Sequence, residues 1–174
     1  IKAVIEKRLK QCRLELHPDK TKIVFCGNSS RGGNYPNEKF DFLGYTFRLR
    51  RTKGRTGKLF VSFLPAVSND AAKSIRDTIR SWRLHRMTDK SLKDLANMFN
   101  PIIRGWVNYY GQYYKSALHP ILNQLNGSLQ RWAMRKYKKL HRHKRKAFYF
   151  IGRVAKHMPY LFAHWRIVRQ TAGR

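Results

Sequence analysis

Apolar residues recur along the chain with two different spacings, which predict strands in the first third and helices afterwards. Helical spacing over residues 1–13 predicts an opening amphipathic helix. Short β-branched and aromatic runs then predict strands, with a Gly- and Asn-rich loop between the first two and a Gly-containing hairpin tip between the last two. The predicted strands are 21–26, 40–49 and 59–64, the loop is 27–37 and the hairpin tip is 52–57.

After Pro65 the apolar spacing is helical throughout. Ser68 and Asp89 are predicted to cap two successive helices, because a side-chain oxygen at the N-cap accepts a hydrogen bond from a free backbone N–H. Asn100 followed by Pro101 is predicted to end the second of these helices and to begin a third. The third helix is expected to pack an aromatic face into the core, formed by Ile102, Trp106, Tyr109, Tyr110 and Tyr113.

A long fourth helix is predicted from residue 120 to residue 145, with Trp132 on its core side, and an aromatic and basic segment follows it to Trp165. The expected fold class is therefore α+β. We expect two domains, a small one over residues 1–64 with a β-hairpin, and a mainly helical bundle over residues 65–174.

The distribution of charge indicates the kind of partner. The chain has 174 residues and a formal net charge of +29, yet 42% of its residues are hydrophobic and 13% are aromatic, so a packed core is expected. From Leu95 to Arg174 there are 16 Lys and Arg residues and no Asp or Glu. This pattern favours nucleic acid over an anionic membrane surface, because phosphates that bind Lys and Arg release condensed counterions.

Other sequence features indicate location and redox state. No run of 18 apolar residues predicts a bilayer-spanning helix, and no signal peptide opens the chain. Cys12 and Cys26 lack a second pair, which predicts two buried free thiols rather than a zinc site or a disulfide. A cytoplasmic location is therefore expected. Because the chain starts at Ile1 inside a helical pattern, we also expect a piece of a longer protein.

Four sequence blocks, in order along the chain, resemble group II intron-encoded reverse transcriptases. Residues 14–23, Leu-Glu-Leu-His-Pro-Asp-Lys-Thr-Lys-Ile, resemble the end of their palm, and residues 40–47 resemble the Phe-Leu-Gly block after it. Residues 100–110, Asn-Pro-Ile-Ile-Arg-Gly-Trp-Val-Asn-Tyr-Tyr, are similar to the signature of their maturase domain, which is the thumb of these enzymes. Residues 161–165, Leu-Phe-Ala-His-Trp, are similar to their usual C-terminal ending.

The resemblance implies that residues 1–64 are the last part of a palm and that residues 65–174 are a thumb, or maturase-specific, domain with a basic extension. In the complete protein the thumb clamps the template-primer, and it also binds intron RNA and assists splicing. The implied partners are group II intron RNA, template-primer nucleic acid and an N-terminal reverse transcriptase domain. A bacterial-type, nucleic-acid-associated protein is implied.

The family polymerises DNA through a Tyr-Ala-Asp-Asp box and a further palm Asp that hold two Mg²⁺ ions, and no such box occurs here. We therefore expect this chain to have no cofactor, no metal site and no polymerase activity of its own. Mg²⁺ would serve the complete polymerase and the intron RNA. Lys20 and Lys22 would border the active site of a complete enzyme as auxiliary groups; otherwise they are solvated lysines of a turn.

A second family feature concerns the hairpin. Phe42, Leu43, Gly44 and Tyr45 resemble the primer grip, where a Gly lets backbone approach a nucleic-acid strand. The other interpretation is a Gly-bulged core strand in which Phe42 and Leu43 are simply buried, and both can hold, since the grip is also a folded hairpin.

The predicted nucleic-acid contacts are polar residues on helix faces away from the core. Five cations recur every three or four residues on the fourth helix and form one basic stripe. Three more cations lie on the first helix after Pro65. Two cations and two amides lie on the third helix, on the side away from its aromatic face. These predicted contacts are Arg131, Arg135, Lys138, Arg142 and Arg145; Arg76, Arg80 and Arg83; and Arg104, Asn108, Gln112 and Lys115.

Two alternatives to an RNA-binding maturase portion stay open. One is a polymerase subunit that a separate palm chain completes. The other is a basic nucleic-acid-binding module with no intron role, which would neutralise phosphates of any duplex or single strand.

Overall fold

The computed structural model describes residues 1–27, 35–54 and 56–168. The chain divides into two compact units, which we describe separately. The N-terminal unit comprises Ile1–Phe40 and Arg48–Phe63, and the helical unit comprises Asp41–Phe47 and Leu64–Arg174. The predicted α+β fold class is confirmed, since a three-stranded antiparallel sheet precedes the main helices.

The N-terminal unit begins with the predicted helix, α1, over Lys2–Gln11. The predicted strand over 21–26 is wrong, because this segment has no strand pairing. Two bonds to Asn37 help to hold it: the backbone N–H of Phe25 donates to the carbonyl of Asn37 (2.9 Å), and the Asn37 amide donates to the carbonyl of Ile23 (3.4 Å). Residues 28–34 of the predicted loop lie outside the described residues. Cys12 and Cys26 are free thiols, but both are exposed rather than buried.

The sheet contains β1 (Lys39–Phe42), β2 (Tyr45–Lys53) and β3 (Leu59–Val67) in that spatial order. The single strand predicted over 40–49 is wrong, because a two-residue turn at Leu43 and Gly44 divides it. Both residues have left-handed backbone, with φ of 49° and 76°, as a type I′ hairpin turn requires.

The third strand is longer than predicted, since it continues through Pro65 to Val67. A proline is tolerated there because β3 lies at the edge of the sheet, where one side of the strand needs no ladder partner. The predicted hairpin tip between β2 and β3 is confirmed by the N–H of Gly54, which donates to the carbonyl of Lys58 (2.8 Å); position 55 lies outside the described residues.

The helical unit contains four α-helices and four short 3₁₀ turns among its described residues. The helices are α2 (Asn69–Ser81), α3 (Leu92–Tyr110), α4 (His119–Lys136) and α5 (Lys144–His157). The 3₁₀ turns are Leu84–Arg86, Lys115–Leu118, Lys138–Leu140 and Ala163–Arg166. Helix α4 supplies the largest share of the buried core, and Leu122, Leu129 and Trp132 are fully buried on it.

One predicted helix cap is confirmed and the other is wrong. The Ser68 hydroxyl accepts from the N–H of Ala71 (3.1 Å) at the start of α2. Helix α3 is capped by Ser91 instead of Asp89, through a reciprocal pair in which Ser91 and Asp94 each accept from the other's backbone N–H. Asp89 lies two residues before this cap and pairs with Lys90 (3.1 Å).

The predicted break at Asn100 and Pro101 is wrong, because α3 continues through both residues. The Asn100 side chain does not cap a helix. Its amide nitrogen donates to the carbonyl of Leu161 (2.8 Å), and its oxygen accepts from the N–H of Ala163 (2.9 Å). This buried amide therefore ties the C-terminal segment to the middle of α3.

The long helix predicted over 120–145 is also wrong, since α4 ends at Lys136 and α5 starts at Lys144. Tyr137 has extended backbone, and its ring packs edge-on against Trp132 at 5.9 Å between ring centres. A continuous helix through this basic run would place like charges four residues apart, which destabilises a helix. The break allows α5 to pack against α4, where Ala147 and Ile151 are buried.

A polar triad lies in the core beneath the C-terminal segment. The Asn126 oxygen lies 2.8 Å from Nε2 of His164 and accepts from the indole N–H of Trp165 (3.0 Å). Burial lowers the pKa of His164 to about 3, so the ring is neutral near pH 7. Because the same Asn126 oxygen accepts from both rings, His164 carries its proton on Nε2.

We predict that Asn100→Ala lowers the free energy of unfolding by about 1–3 kcal/mol, because the carbonyl of Leu161 and the N–H of Ala163 lose their partner. Urea unfolding measures this loss. Asn97→Ala is the control, since Asn97 is exposed one turn earlier on α3. Equal stability of the two variants would contradict the tether.

The buried His164 predicts a loss of stability in mild acid. Its pKa is about 3 in the folded chain and about 6.5 when unfolded, so the unfolded state binds the extra proton as the pH falls below about 6.5. This group should remove about 2 kcal/mol between about pH 7.5 and about pH 5. Urea unfolding at both pH values should show a shallower loss in His164→Gln than in the wild type or in His157→Gln, which changes an exposed histidine. The same pH dependence in all three would refute the assignment.

Candidate nucleic-acid interface

Four of the predicted contacts on and just after α3 lie together in a groove. The α3 groove has a volume of about 570 Å³. It is lined by Arg104, Asn108, Gln112, Lys115, Tyr160 and Arg166, together with apolar residues. The described residues that line it include no Asp or Glu. The structure therefore brings Arg104, Asn108, Gln112 and Lys115 to one surface, as their spacing predicts.

Tyr160 and Arg166 are the residues of this groove that sequence reasoning missed. They flank the segment that Asn100 ties to α3, and this tether brings them beside residues about 50 positions earlier. The Arg166 guanidinium lies 5.6 Å from the centre of the Tyr160 ring, which itself is 75% exposed. No local sequence signal predicts this neighbourhood, because it depends on a contact between distant positions.

A second cluster of cations surrounds His85 on the 3₁₀ turn after α2. Burial is the main cause that lowers the pKa of His85, and the positive charges of nearby arginines lower it further. These are Arg135, Arg86, Arg131 and Arg83. We call these four arginines and His85 the His85 cluster. It contains Arg83, which was predicted on the first helix after Pro65, together with Arg131 and Arg135 of the predicted stripe.

Two hydrogen-bonding side chains hold this turn against α4. The indole N–H of Trp132 donates to the carbonyl of Met87 (2.9 Å), and the ammonium group of Lys136 donates to the carbonyls of Thr88 and Lys90 (2.8 Å each). Arg131 also donates to the hydroxyl of Ser128 (2.9 Å). The sequence signal that could have identified Arg86 is its place close to the predicted helix end, three residues after Arg83.

The predicted single stripe on the fourth helix is wrong as one face. Arg131 and Arg135 lie on α4, and Lys138 lies on the following 3₁₀ turn. Arg142 lies in the next turn with a left-handed φ of 59°, and Arg145 lies on α5. The prediction of one stripe required a continuous helix over residues 120–145. Because the helix breaks at Tyr137, the five residues lie on four different segments.

Lys138 lines another depression, which we call the α4–α5 cavity. It has a volume of about 710 Å³. Its exposed lining consists of Tyr137, Lys138, Lys139, Lys146, Tyr149 and Arg153.

The predicted contacts on α2 are Arg76 and Arg80. Arg80 forms an ion pair with Asp77 (2.6 Å) on the exposed surface. The backbone carbonyl of Arg76 accepts from the side chain of Gln124 (3.3 Å), which fixes α2 to α4. Neither residue joins the groove, the cluster or the cavity described above.

The hairpin turn that resembles a primer grip is fixed to the end of α3. The hydroxyl of Tyr45 donates to the carbonyl of Tyr109, and the hydroxyl of Tyr109 donates to the carbonyl of Leu43 (2.9 Å). A Cβ at Gly44 would lie 2.8 Å from the hydroxyl oxygen of Tyr110, so glycine is needed there for space as well as for its positive φ. Tyr45 is buried, whereas Phe42 and Leu43 are exposed, which contradicts the alternative in which both are core residues.

The aromatic face predicted for α3 is only partly in the core. Trp106 is half-buried and stacks on Trp82 at 5.5 Å between ring centres, but Ile102, Tyr109 and Tyr113 are exposed. The prediction missed the partner of Tyr109, which is the hairpin turn rather than another helix.

Lys20 and Lys22 are exposed in an irregular segment of the N-terminal unit. The backbone N–H of Lys20 donates to Nδ1 of His17 (3.3 Å). Within the described residues, no group of three or more His, Cys, Asp or Glu side chains has the geometry to hold a metal ion.

The helical unit is a basic α-helical domain whose cations converge at a groove, a cluster and a cavity. Residues 72–150 match the family model of the group II intron maturase-specific domain. This match supports a maturase-specific region within the helical unit. No curated protein and no solved structure matched the chain. Among the described residues, no helix is long and apolar enough to cross a membrane.

The His85 cluster makes a prediction that a titration can check. Replacing Arg135 by Gln should raise the pKa of His85, because a positive charge that disfavours the imidazolium is removed. Arg145→Gln is the control and should raise this pKa less, since Arg145 lies on α5 and is not one of the four charges that lower the pKa of His85. NMR titration of the histidine ring signals measures both. An unchanged His85 pKa in Arg135→Gln would show that the two residues are not close.

Proposed function

We propose that this chain binds group II intron RNA through its helical unit and thereby assists splicing, as the maturase and thumb portion of a group II intron reverse transcriptase. The observation that carries the proposal is the α3 groove, where Arg104, Lys115 and Arg166 converge with no acidic residue in the described lining. The maturase-domain match over residues 72–150 supports the choice of RNA.

The groove has the chemistry of a phosphate-binding surface. Arginine presents a planar fork of N–H donors that fits phosphate oxygens, and lysine adds a compact charge. Asn108 and Gln112 add amides that both donate and accept, which suits ribose hydroxyls and base edges. The Gln112 side chain already donates to the carbonyl of Asn108 (2.9 Å), which orients one amide at the groove.

The resemblance to group II intron-encoded proteins implies that the protein positions the RNA and that the RNA catalyses splicing, and the acidic residues of this chain are consistent with that division. Asp19 and Asp41 have no acidic neighbour in sequence, and the Asp41 carboxylate accepts from the hydroxyl of Thr46. We therefore assign positioning and charge neutralisation to this chain, and the chemistry of splicing to the intron RNA with its Mg²⁺. In a complete reverse transcriptase the same unit would clamp the template-primer.

A generic nucleic-acid binder is the second candidate. Lys and Arg contacts to phosphates carry no sequence information, so the groove chemistry alone suits any strand of suitable shape. Competition between intron RNA and an unrelated duplex at matched salt separates the two functions, because equal affinity for both would favour the generic binder.

We predict that the triple variant Arg104→Gln, Lys115→Gln, Arg166→Gln binds intron RNA more weakly and with a shallower salt dependence. Removal of each cation that neutralises a phosphate should reduce the slope of log affinity against log salt by about 1. Fluorescence anisotropy over a series of salt concentrations measures both quantities, and thermal melting checks the fold.

The matched control is Lys73→Gln, Lys93→Gln, Lys156→Gln, which removes the same charge from exposed positions outside the groove. The control should keep most of the affinity and slope. If the two triple variants weaken binding equally, net charge rather than the α3 groove governs RNA binding, and the proposal loses its main support.

A further inference from the structure

The α4–α5 cavity places two exposed aromatic rings and several cations around an apolar base. Its apolar base is formed by Leu140 and Phe150, which are half-buried. The rings of Tyr137 and Tyr149 remain 38% and 36% exposed beside this base. Rings exposed next to an apolar base provide a surface on which a flat ligand can stack.

Both rings are held in place by neighbours. Tyr137 packs edge-on against Trp132, and its ring centre lies 5.3 Å from that of Phe150. Tyr149 follows Phe148 on α5 at 5.8 Å between ring centres, and the Arg145 guanidinium lies 5.8 Å from its ring. A stacked ligand would therefore cost little ordering of these side chains.

The rim of the cavity is cationic. Lys138, Lys139, Lys146 and Arg153 are exposed there, and the described lining contains no carboxylate. Lys136 also contributes to the lining, but its ammonium group already donates to the carbonyls of Thr88 and Lys90. The positive charge that a ligand can reach therefore comes mainly from the four rim residues, which are Lys138, Lys139, Lys146 and Arg153.

We propose that the α4–α5 cavity binds an unpaired nucleotide of single-stranded RNA, with its base stacked on Tyr149 and its phosphates on Lys138, Lys139 and Lys146. This inference deepens the proposed function and rests on it for the identity of the RNA. A volume of about 710 Å³ lies within the range of small-ligand sites, and base stacking on aromatic rings with phosphates on nearby cations is the usual mode for single strands.

A base in a duplex is already stacked between its neighbours, and bare phosphate needs only the cations. The two exposed tyrosines therefore favour an unpaired base over either ligand. An acidic peptide would use the lysines and leave the rings unused.

The test compares two short RNA strands of equal length at one salt concentration, one with normal bases and one with abasic residues at its centre. Fluorescence anisotropy should show that the wild-type chain prefers the normal strand by roughly fivefold or more. Tyr149→Leu should reduce this preference strongly, and Tyr149→Phe should retain it, because Phe keeps the ring. Tyr35→Leu is the control, since Tyr35 is equally exposed, at 37%, in the N-terminal unit.

Equal binding of the normal and abasic strands by the wild type would overturn the proposal, as would a Tyr149→Leu variant that melts normally and keeps the full preference. These outcomes differ from failure of the proposed function, because the short strands contain no intron sequence. Loss of selectivity for intron RNA with an intact base preference would refute only the intron role.

Discussion

Two buried amides hold the last described segment of the helical unit, and the surface that we assign to RNA depends on them. Asn100 on α3 bonds to the backbone of Leu161 and Ala163, and Asn126 on α4 bonds to the rings of His164 and Trp165. The segment over residues 161–165 is thereby fixed to α3 and to α4 at once. Its flanking residues, Tyr160 and Arg166, complete the α3 groove. A polar contact in the core thus determines where surface cations lie.

The second constraint is the charge of the chain. With 38 Lys and Arg residues and 9 Asp and Glu residues, the folded state repels itself, and few ion pairs can offset this repulsion. The apolar core must therefore supply the stability, and Trp132, Leu122 and Leu129 are fully buried at its centre. Like charges close together are unfavourable in the free protein and favourable once phosphates lie between them, so the same arrangement that weakens the fold strengthens binding of a polyanion.

Local signals predicted α1, α2 and the Ser68 cap, because N-caps and apolar periodicity depend on residues within a few positions. The local signals failed where a residue bonds or packs with a partner that is distant in the sequence. Asn100 has the local pattern of a cap but bonds 61 and 63 positions away, and α3 continues as a result. The predicted basic stripe had the correct periodicity, yet Tyr137 leaves the helix to pack on Trp132. The spacing of Arg104, Asn108, Gln112 and Lys115 was enough to predict that they share one surface, because they follow one another at intervals of three or four residues. The position of Arg166 and the α4–α5 cavity depend on the tertiary fold.

The coupling between core and surface also constrains how this unit can evolve or be engineered. A ligand that binds only the folded state stabilises it in proportion to the logarithm of its concentration over its dissociation constant. RNA on the α3 groove would therefore stabilise the contacts of Asn100 and Asn126 that assemble the groove. In the free chain those contacts are supported by the buried rings of Phe162 and Trp165, which pack at 4.8 Å between ring centres. Substitutions at Asn100 or Asn126 should consequently weaken RNA binding even though neither residue contacts the RNA, because they lower the fraction of molecules in which the groove is formed.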